Sequence, residues 1–258
     1  MGYRTIELVQ DDSIATLTLN RPDKLNAVTR EMLNELLDAF HQISENKNLG
    51  VVVLTGAGNA FSVGGDFDWD FFETKDPAQI KGIIELAGKL AIAMRSLQIP
   101  LIASVNGVAA GGGLSMVLAC DIVFASERAR FGSTFIKWGG LADGGANWFL
   151  PRRVGTAKAI ELLLTGDVID AREAKRIGLV DNVVSPELLE RTTMDLAAKF
   201  AKAPKTALRI TKQTMNQALR MELSEAVEME ARGQVICFLH PDREEGIKAF
   251  REKREPKF

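Results

Sequence analysis

Two short runs, Val51-Val-Val-Leu54 and Leu101-Ile-Ala-Ser-Val105, are apolar almost without a break, and each passes straight into a glycine-rich segment. A strand with one wet face alternates polar and apolar residues. A brief continuous run closed by turn residues suits a strand covered on both faces. Such strands need helices to cover them, and the chain between the two runs supplies one, predicted from about Ile83 to Leu97, interrupted at Gly88 and closed before Pro100.

The rest of the first two thirds repeats the theme. Ile14-Ala-Thr-Leu-Thr-Leu19 alternates and is rich in β-branched residues, and Asn20-Arg-Pro-Asp23 ends it with turn chemistry. Thr29 is placed to cap a helix whose apolar residues Met32, Leu33, Leu36, Leu37, Phe40 and Ile43 recur at helical spacing. Asn106-Gly107 predicts a turn, Gly111-Gly-Gly113 opens a helix of small residues through Ala119, and Asp121-Ile-Val-Phe-Ala125 reads as a strand. Alternation to about residue 190 predicts an α/β fold. From Glu187 onward only helical periodicity is left, broken at Pro204 and at His240-Pro241. The expected division is a core over 1–190 and a helical region over 191–258.

Composition narrows the function more by exclusion. A net charge of -2 with acids and bases interspersed leaves no basic footprint for nucleic acid or an anionic membrane. No apolar stretch approaches the roughly 18 residues of a membrane span. Cys120 and Cys237 lie far apart in apolar settings, which predicts two buried thiols in a reducing compartment. Residues 1–10 carry no targeting pattern, and a cytoplasmic protein is expected. His41 falls on the early helix and His240 in a late turn, so neither metal ligation nor Ser-His catalysis has its residues.

The two glycine-rich loops, Gly56 to Asp66 and Asn106 to Gly113, allow two readings. Glycines let backbone approach a ligand and leave helix N-terminal N–H groups aimed at an anion. They also make tight turns with no ligand at all. Neither loop carries the Gly-Lys-Ser/Thr of a P-loop or the spacing of a dinucleotide fingerprint.

Taken together, several segments resemble the crotonase (enoyl-CoA hydratase/isomerase) superfamily. They are Asn20-Arg-Pro-Asp-Lys-Leu-Asn-Ala27, Ala60-Phe-Ser-Val-Gly-Gly-Asp66, Val105 to Leu114, Cys120-Asp-Ile122, Phe131-Gly132, Pro151-Arg-Arg-Val-Gly155, Leu164-Thr-Gly166, Ala171-Arg-Glu-Ala174 and Gly178-Leu-Val180. Each is weak alone; their order and spacing together cover nearly the whole chain. The resemblance implies a spiral of β-β-α units with a helical C-terminal region that packs between subunits of a homotrimer or homohexamer. It implies an acyl-CoA thioester substrate, with coenzyme A arriving as part of that substrate and no separate cofactor. It also implies that the N–H groups of Gly65 and Gly112 form an oxyanion hole for the thioester oxygen, where charge develops as an α-proton leaves. Lys24, Leu25, Ala27 and Asp66 fall on the substrate-binding segments, and Phe250 and Lys253 near the adenine. Read alone, Arg251 to Arg254 would be a solvated helix face, and Asp66 a residue that shapes its loop; Asp68 and Asp70 read as solvated.

The chain departs from the hydratase pattern at the two positions that carry Glu there, which are Ser115 and Phe135 here. Hydration divides water activation and proton delivery between two carboxyl groups, and neither replacement can do either. One acid is left in Gly139-Gly-Leu-Ala-Asp-Gly-Gly145: Asp143, where several family isomerases carry an acid, in a segment similar to that of the isomerases acting on phenylacetate-derived CoA thioesters. A single carboxylate can shift a double bond by removing a proton at one carbon and returning it two carbons away. Phe67, Phe135, Trp138 and Trp148 are expected as apolar walls that raise the pKa of Asp143, or else as plain core. The bland reading of Asp143 is a cap beside Gly144-Gly145. A hydratase using other groups, an Asp143 nucleophile in a hydrolase or dehalogenase, and a non-catalytic thioester binder stand as alternatives; the dehalogenase histidine is absent, its approximate place being Gly88.

Overall fold

The computed structural model describes residues 2–258. The elements, in order, are β1 (Ile6–Asp11), β2 (Ile14–Leu19), α1 (Arg30–Glu45), β3 (Val51–Gly56), β4 (Ala60–Ser62), α2 (Pro77–Ser96), β5 (Leu101–Val105), β6 (Val108–Ala110), α3 (Gly112–Ala119), β7 (Ile122–Ser126), β8 (Arg130–Gly132), α4 (Ala146–Val154), α5 (Thr156–Thr165), β9 (Val168–Asp170), α6 (Ala171–Arg176), β10 (Asn182–Val184), α7 (Pro186–Ala201), α8 (Lys205–Ala218), α9 (Leu223–Leu239) and α10 (Asp242–Glu252). Short 3-10 turns occupy Pro22–Lys24, Asp70–Phe72 and Thr134–Trp138.

β1 and β2 both join one sheet, but the pairs β3 and β4, β5 and β6, and β7 and β8 each give their first strand to that sheet and their second to another, so the chain winds as a spiral. The larger sheet runs β1-β2-β3-β5-β7-β10 and the smaller β4-β6-β8-β9. Only β1 against β2 and β8 against β9 are antiparallel. The continuous apolar run predicted for β3 is explained by its two faces. Val52 and Leu54 enter the main core with Leu17, Leu101 and Phe61, while Val51 and Val53 pack with Ile102 against Ala197 of α7. Both faces are thus dry, as the parallel strands require.

Two glycines sit where a side chain has no room, Gly107 against the preceding turn of the spiral and Gly56 against the next strand of its own turn. A Cβ on Gly107 would lie 2.0 Å from the Asn59 carbonyl oxygen, and one on Gly56 2.3 Å from that of Ala60. Asn106 Nδ2 donates to the carbonyls of Gly56 and Gly58 at 2.8 and 2.9 Å, and Asn26 Nδ2 does the same to Ala57 and Ala60 at 2.9 and 2.8 Å. For Gly56 and Gly107 the tight-turn reading is therefore the correct one.

Differences from the expected elements have plain causes. β1 has one buried residue, Ile6, so it carries no alternation to detect. α2 begins six residues before the expected start because its first turns are exposed; Asp76 caps it through Ala78 N at 2.9 Å, and Gly88 sits in open space without breaking it. The strands of the smaller sheet have three residues each, too few to show a period. Cys120 is buried but Cys237 is half-exposed on α9, a correction to the expected pair of buried thiols. Residues 190 and 191 fall inside α7, which lies on the larger sheet.

Beyond α7 the packing changes character. α8 has no buried residue and is strapped down by polar side chains: Lys205 Nζ donates to Asn48 O at 2.7 Å, Arg209 to Lys47 O at 2.9 Å, Lys212 to Ile99 O at 2.7 Å and Asn216 to Arg95 O at 3.3 Å. Among the described residues no helix is long and apolar enough to cross a membrane.

Candidate active site

The loop after β4 is fixed from both sides of Gly65. Val28 N donates to Gly64 O at 2.7 Å and Asp66 N to Val28 O at 2.9 Å, which leaves the N–H of Gly65 between them without a protein acceptor. Gly112 is the first residue of α3, and its N–H has no intrahelical acceptor for that reason. Gly111 N, by contrast, is used, donating to Gly132 O at 2.9 Å. The two loops touch: a Cβ on Gly64 would lie 3.0 Å from Gly112 N and 2.9 Å from Ala110 O. Gly64, at φ +91°, and Gly111, at φ +51°, hold conformations that L side chains rarely adopt.

Gly65 and Gly112 line one pocket, open at its mouth. Its walls are aromatic on one side. Phe67 and Phe72 lie 4.5 Å apart between ring centroids, Phe72 and Trp138 5.8 Å, Phe135 and Trp138 6.0 Å, and Trp69 and Phe71 continue the series. The other side is aliphatic, from Ile83, Leu90 and Met94 of α2.

Asp143 is half-buried in this pocket, and among the described residues it is the one ionisable side chain that lines it. Its carboxylate has no hydrogen bond or ion pair to the described residues, and burial pushes its pKa up to about 6. It does not cap α4: that helix starts after Gly145, at φ +84°, with no side-chain cap. What fixes Asp143 is its carbonyl, which accepts from Ser115 Oγ at 2.8 Å and from Ala146 N at 3.1 Å. Ser115 is itself buried on α3, so the helix that presents Gly112 also holds the loop that presents Asp143.

Of the expected site residues, the structure brings Gly65, Gly112, Asp143, Phe67, Ser115, Phe135 and Trp138 to this pocket. Lys24, Leu25 and Ala27 lie on the loop beside it: Lys24 pairs with the solvated Asp68 at 2.7 Å, Leu25 is half-exposed at φ +49°, and Ala27 is buried. Asp66 does not line the pocket, a correction to its expected substrate contact. Its carboxylate meets Arg21 Nη2 at 2.8 Å and accepts from Asp68 N at 3.1 Å. Burial alone would raise its pKa, but these partners hold it below the usual carboxylate value. Trp148 is also displaced from the expected wall; it faces three arginines elsewhere. Phe250, fully turned to solvent, and Lys253 sit at the end of α10, which packs on α9 and not at the pocket. The side chain of Asp70 lies outside the described residues. Trp69, Phe71, Phe72 and the lining face of α2 were not expected; the aromatic density of Trp69-Asp-Phe-Phe72 was the signal available.

The family model for enoyl-CoA hydratase/isomerase matches residues 10–258. The chain belongs to that family. Along its entire length it is 36% identical to a probable enoyl-CoA hydratase of Mycobacterium bovis, covering 99% of that protein. It is 35% identical to the 1,2-epoxyphenylacetyl-CoA isomerase of Escherichia coli over 96% of this chain and 95% of the other. The solved enoyl-CoA hydratase of Bacillus anthracis superposes with a TM-score of 0.95 at 33% identity, over 99% of each chain. As an enoyl-CoA hydratase/isomerase family member the protein is an enzyme of acyl-CoA thioesters, and its two unengaged N–H groups beside an apolar pocket suit that chemistry.

Proposed function

We propose that the protein is an enoyl-CoA isomerase. The carrying observation is that Asp143 is unpartnered and alone in its ionisable character among the described residues of the pocket that Gly65 and Gly112 also line. With the thioester oxygen between those two N–H groups, Asp143 as carboxylate takes a proton from the carbon between the carbonyl and the double bond. The electron pair delocalises into a dienolate whose charge rests on the oxygen. Asp143, now the acid, returns the same proton two carbons further on, and the double bond moves into conjugation. No water enters the balance, so the absence of hydratase Glu residues at Ser115 and Phe135 is no obstacle. The pKa near 6 suits a group that must both accept and donate a proton near neutral pH.

The aromatic wall favours a bulky or ring-bearing acyl group, in keeping with the similarity to an epoxyphenylacetyl-CoA isomerase. In this reading Lys24, Leu25 and Ala27 receive the coenzyme A chain, Phe250 and Lys253 reach the adenine of a neighbouring subunit in a cytoplasmic trimer or hexamer, and residues 191–258 serve that assembly. The test is conversion of a 3-enoyl-CoA to its 2-enoyl isomer, followed by the rise in absorbance of the conjugated thioester. Asp143→Asn is expected to lower turnover by roughly 10²- to 10⁴-fold; turnover equal to the parent, or hydration of a 2-enoyl-CoA as the dominant reaction, rejects the assignment.

A further inference from the structure

Away from the acyl pocket, the C-terminal end of α2, α4 and the turn after α8 bring arginines around one indole. The guanidinium carbons of Arg152, Arg220 and Arg95 lie 4.0, 5.4 and 5.9 Å from the ring centroid of Trp148. Among the described residues neither Arg152 nor Arg220 has a carboxylate partner; Arg152 donates only to the Trp148 carbonyl, at 2.9 Å. Arg95 has Asp121 at 3.5 Å, but Lys212 claims the other oxygen of that carboxylate, and the neighbouring Arg153 is already paired with Asp181 at 3.1 Å. Burial, and then the fields of Arg153, Arg220 and Arg152, lower the pKa of Arg95. In a chain of net charge -2 this is a local excess of positive charge that the protein itself does not neutralise.

Arg95 and Arg220 also line a cleft with Ser96, Gln98, Gln213 and Gln217, and no acidic side chain takes part in that lining. We propose that this cleft binds a small phosphate-bearing anion, held between the guanidinium forks with the amide side chains as further donors. A cation stacked on an indole is held in place without using its N–H groups, which stay free for an acceptor. A tetrahedral dianion offers oxygens to more than one fork at once, which a single carboxylate does not. The charge is focused in a concavity and not spread over a face, which favours a small ligand over an acidic protein partner. The cleft is independent of the proposed isomerase chemistry.

The experiment is calorimetric titration of the full-length protein in phosphate-free buffer, with inorganic phosphate in one arm and ADP in the other, and sodium chloride at matched ionic strength as reference. Saturable binding with a Kd below about 1 mM is expected in at least one arm, and the tighter arm says whether free phosphate or a phosphate ester is the source. Replacing Arg220, which lines the cleft, together with Arg152, which shares the indole with it, as Arg152→Gln with Arg220→Gln, is expected to weaken it by about tenfold or more; both are exposed, so the fold is retained, which circular dichroism checks. Trp148→Phe should lose any accompanying fluorescence change while keeping calorimetric binding. Heats equal to those of chloride, or binding undiminished in the double variant, overturn the proposal.

Discussion

Asp143 carries consequences for pH as well as for chemistry. Its folded pKa, about 6, exceeds the ordinary 3.8, so between these values the folded state holds the proton more often than the unfolded chain. Stability is therefore lost as pH rises through that window, and ionised Asp143 is a strain on the fold at neutral pH. Asp143→Asn is expected to melt higher than the parent above pH 6, with the difference vanishing below about pH 4, as a thermal unfolding series would show. Catalysis runs the other way: proton abstraction needs the carboxylate, so kcat/KM should rise with pH through about 6. A variant that is more stable and less active in the same pH range is the signature of a buried base. Gly64→Ala tests the neighbouring donors. Its φ of +91° and the 3.0 Å approach to Gly112 N mean a destabilisation on the order of 1–3 kcal/mol, read by denaturant melts, and a larger fall in kcat than in substrate affinity.

At the scale of elements, the geometry of the Gly65 loop depends on a pair that does not line the pocket. Arg21, with its side chain 22% exposed, meets Asp66, 10% exposed, and also donates to the Ala27 carbonyl, so it ties the loop after β2 to the loop after β4. Removing one partner leaves the other charge buried, and Arg21→Gln should destabilise by on the order of 3 kcal/mol in urea unfolding at pH 7. Because the folded pKa of Asp66 is depressed, that stabilisation is present above the ordinary carboxylate pKa and lost as pH falls through the folded value. The gap between Arg21→Gln and the parent should accordingly close in acid. α8 illustrates a different device. With no buried residue, it is held to the core by cations on carbonyl oxygens and by the ion pair of Lys212 with Asp121, and Lys212→Met should raise amide hydrogen exchange in α8 while leaving β3 and β5 protected.

For the whole molecule, large apolar side chains stay in the open, many of them on the terminal helices. Leu223, Leu239 and Phe250 are 79%, 81% and 86% exposed, with Val227, Val235, Ile236 and Phe238 also half-exposed along α9. Exposed apolar side chains of this size are the kind of surface that an assembly covers. In the proposed trimer or hexamer these residues are covered, and sedimentation should return a multiple of three copies of the 28.2 kDa chain. Leu239→Asp with Phe238→Ser should shift the population toward monomer; a parent sedimenting as monomer at micromolar concentration would remove the assembly from the reading.

What the sequence determined by itself was whatever the chain encodes locally. Val51–Leu54 announced a strand dry on both faces, Thr29 capped α1 as its spacing required, and the change near residue 187 to helices alone was visible as a loss of strand signal. The glycines were legible as a class, yet Gly56 and Gly107 serve close packing while Gly65 and Gly112 keep free N–H groups, and only the approach of one segment to another separates the two kinds. The same limit applies to the site. Phe67, Phe135 and Trp138 could be named in advance; Phe71 and Phe72, on a short 3-10 turn, and the lining face of α2 could not, since neither a single turn nor a helical period says what it will face. Asp66 and Trp148 are away from their expected places, and each meets a charged partner distant in sequence, Arg21 for Asp66 and Arg95 and Arg220 for Trp148. Tertiary structure decided these matters because burial and pairing of a charge depend on which loops meet, and no local stretch of residues contains that information.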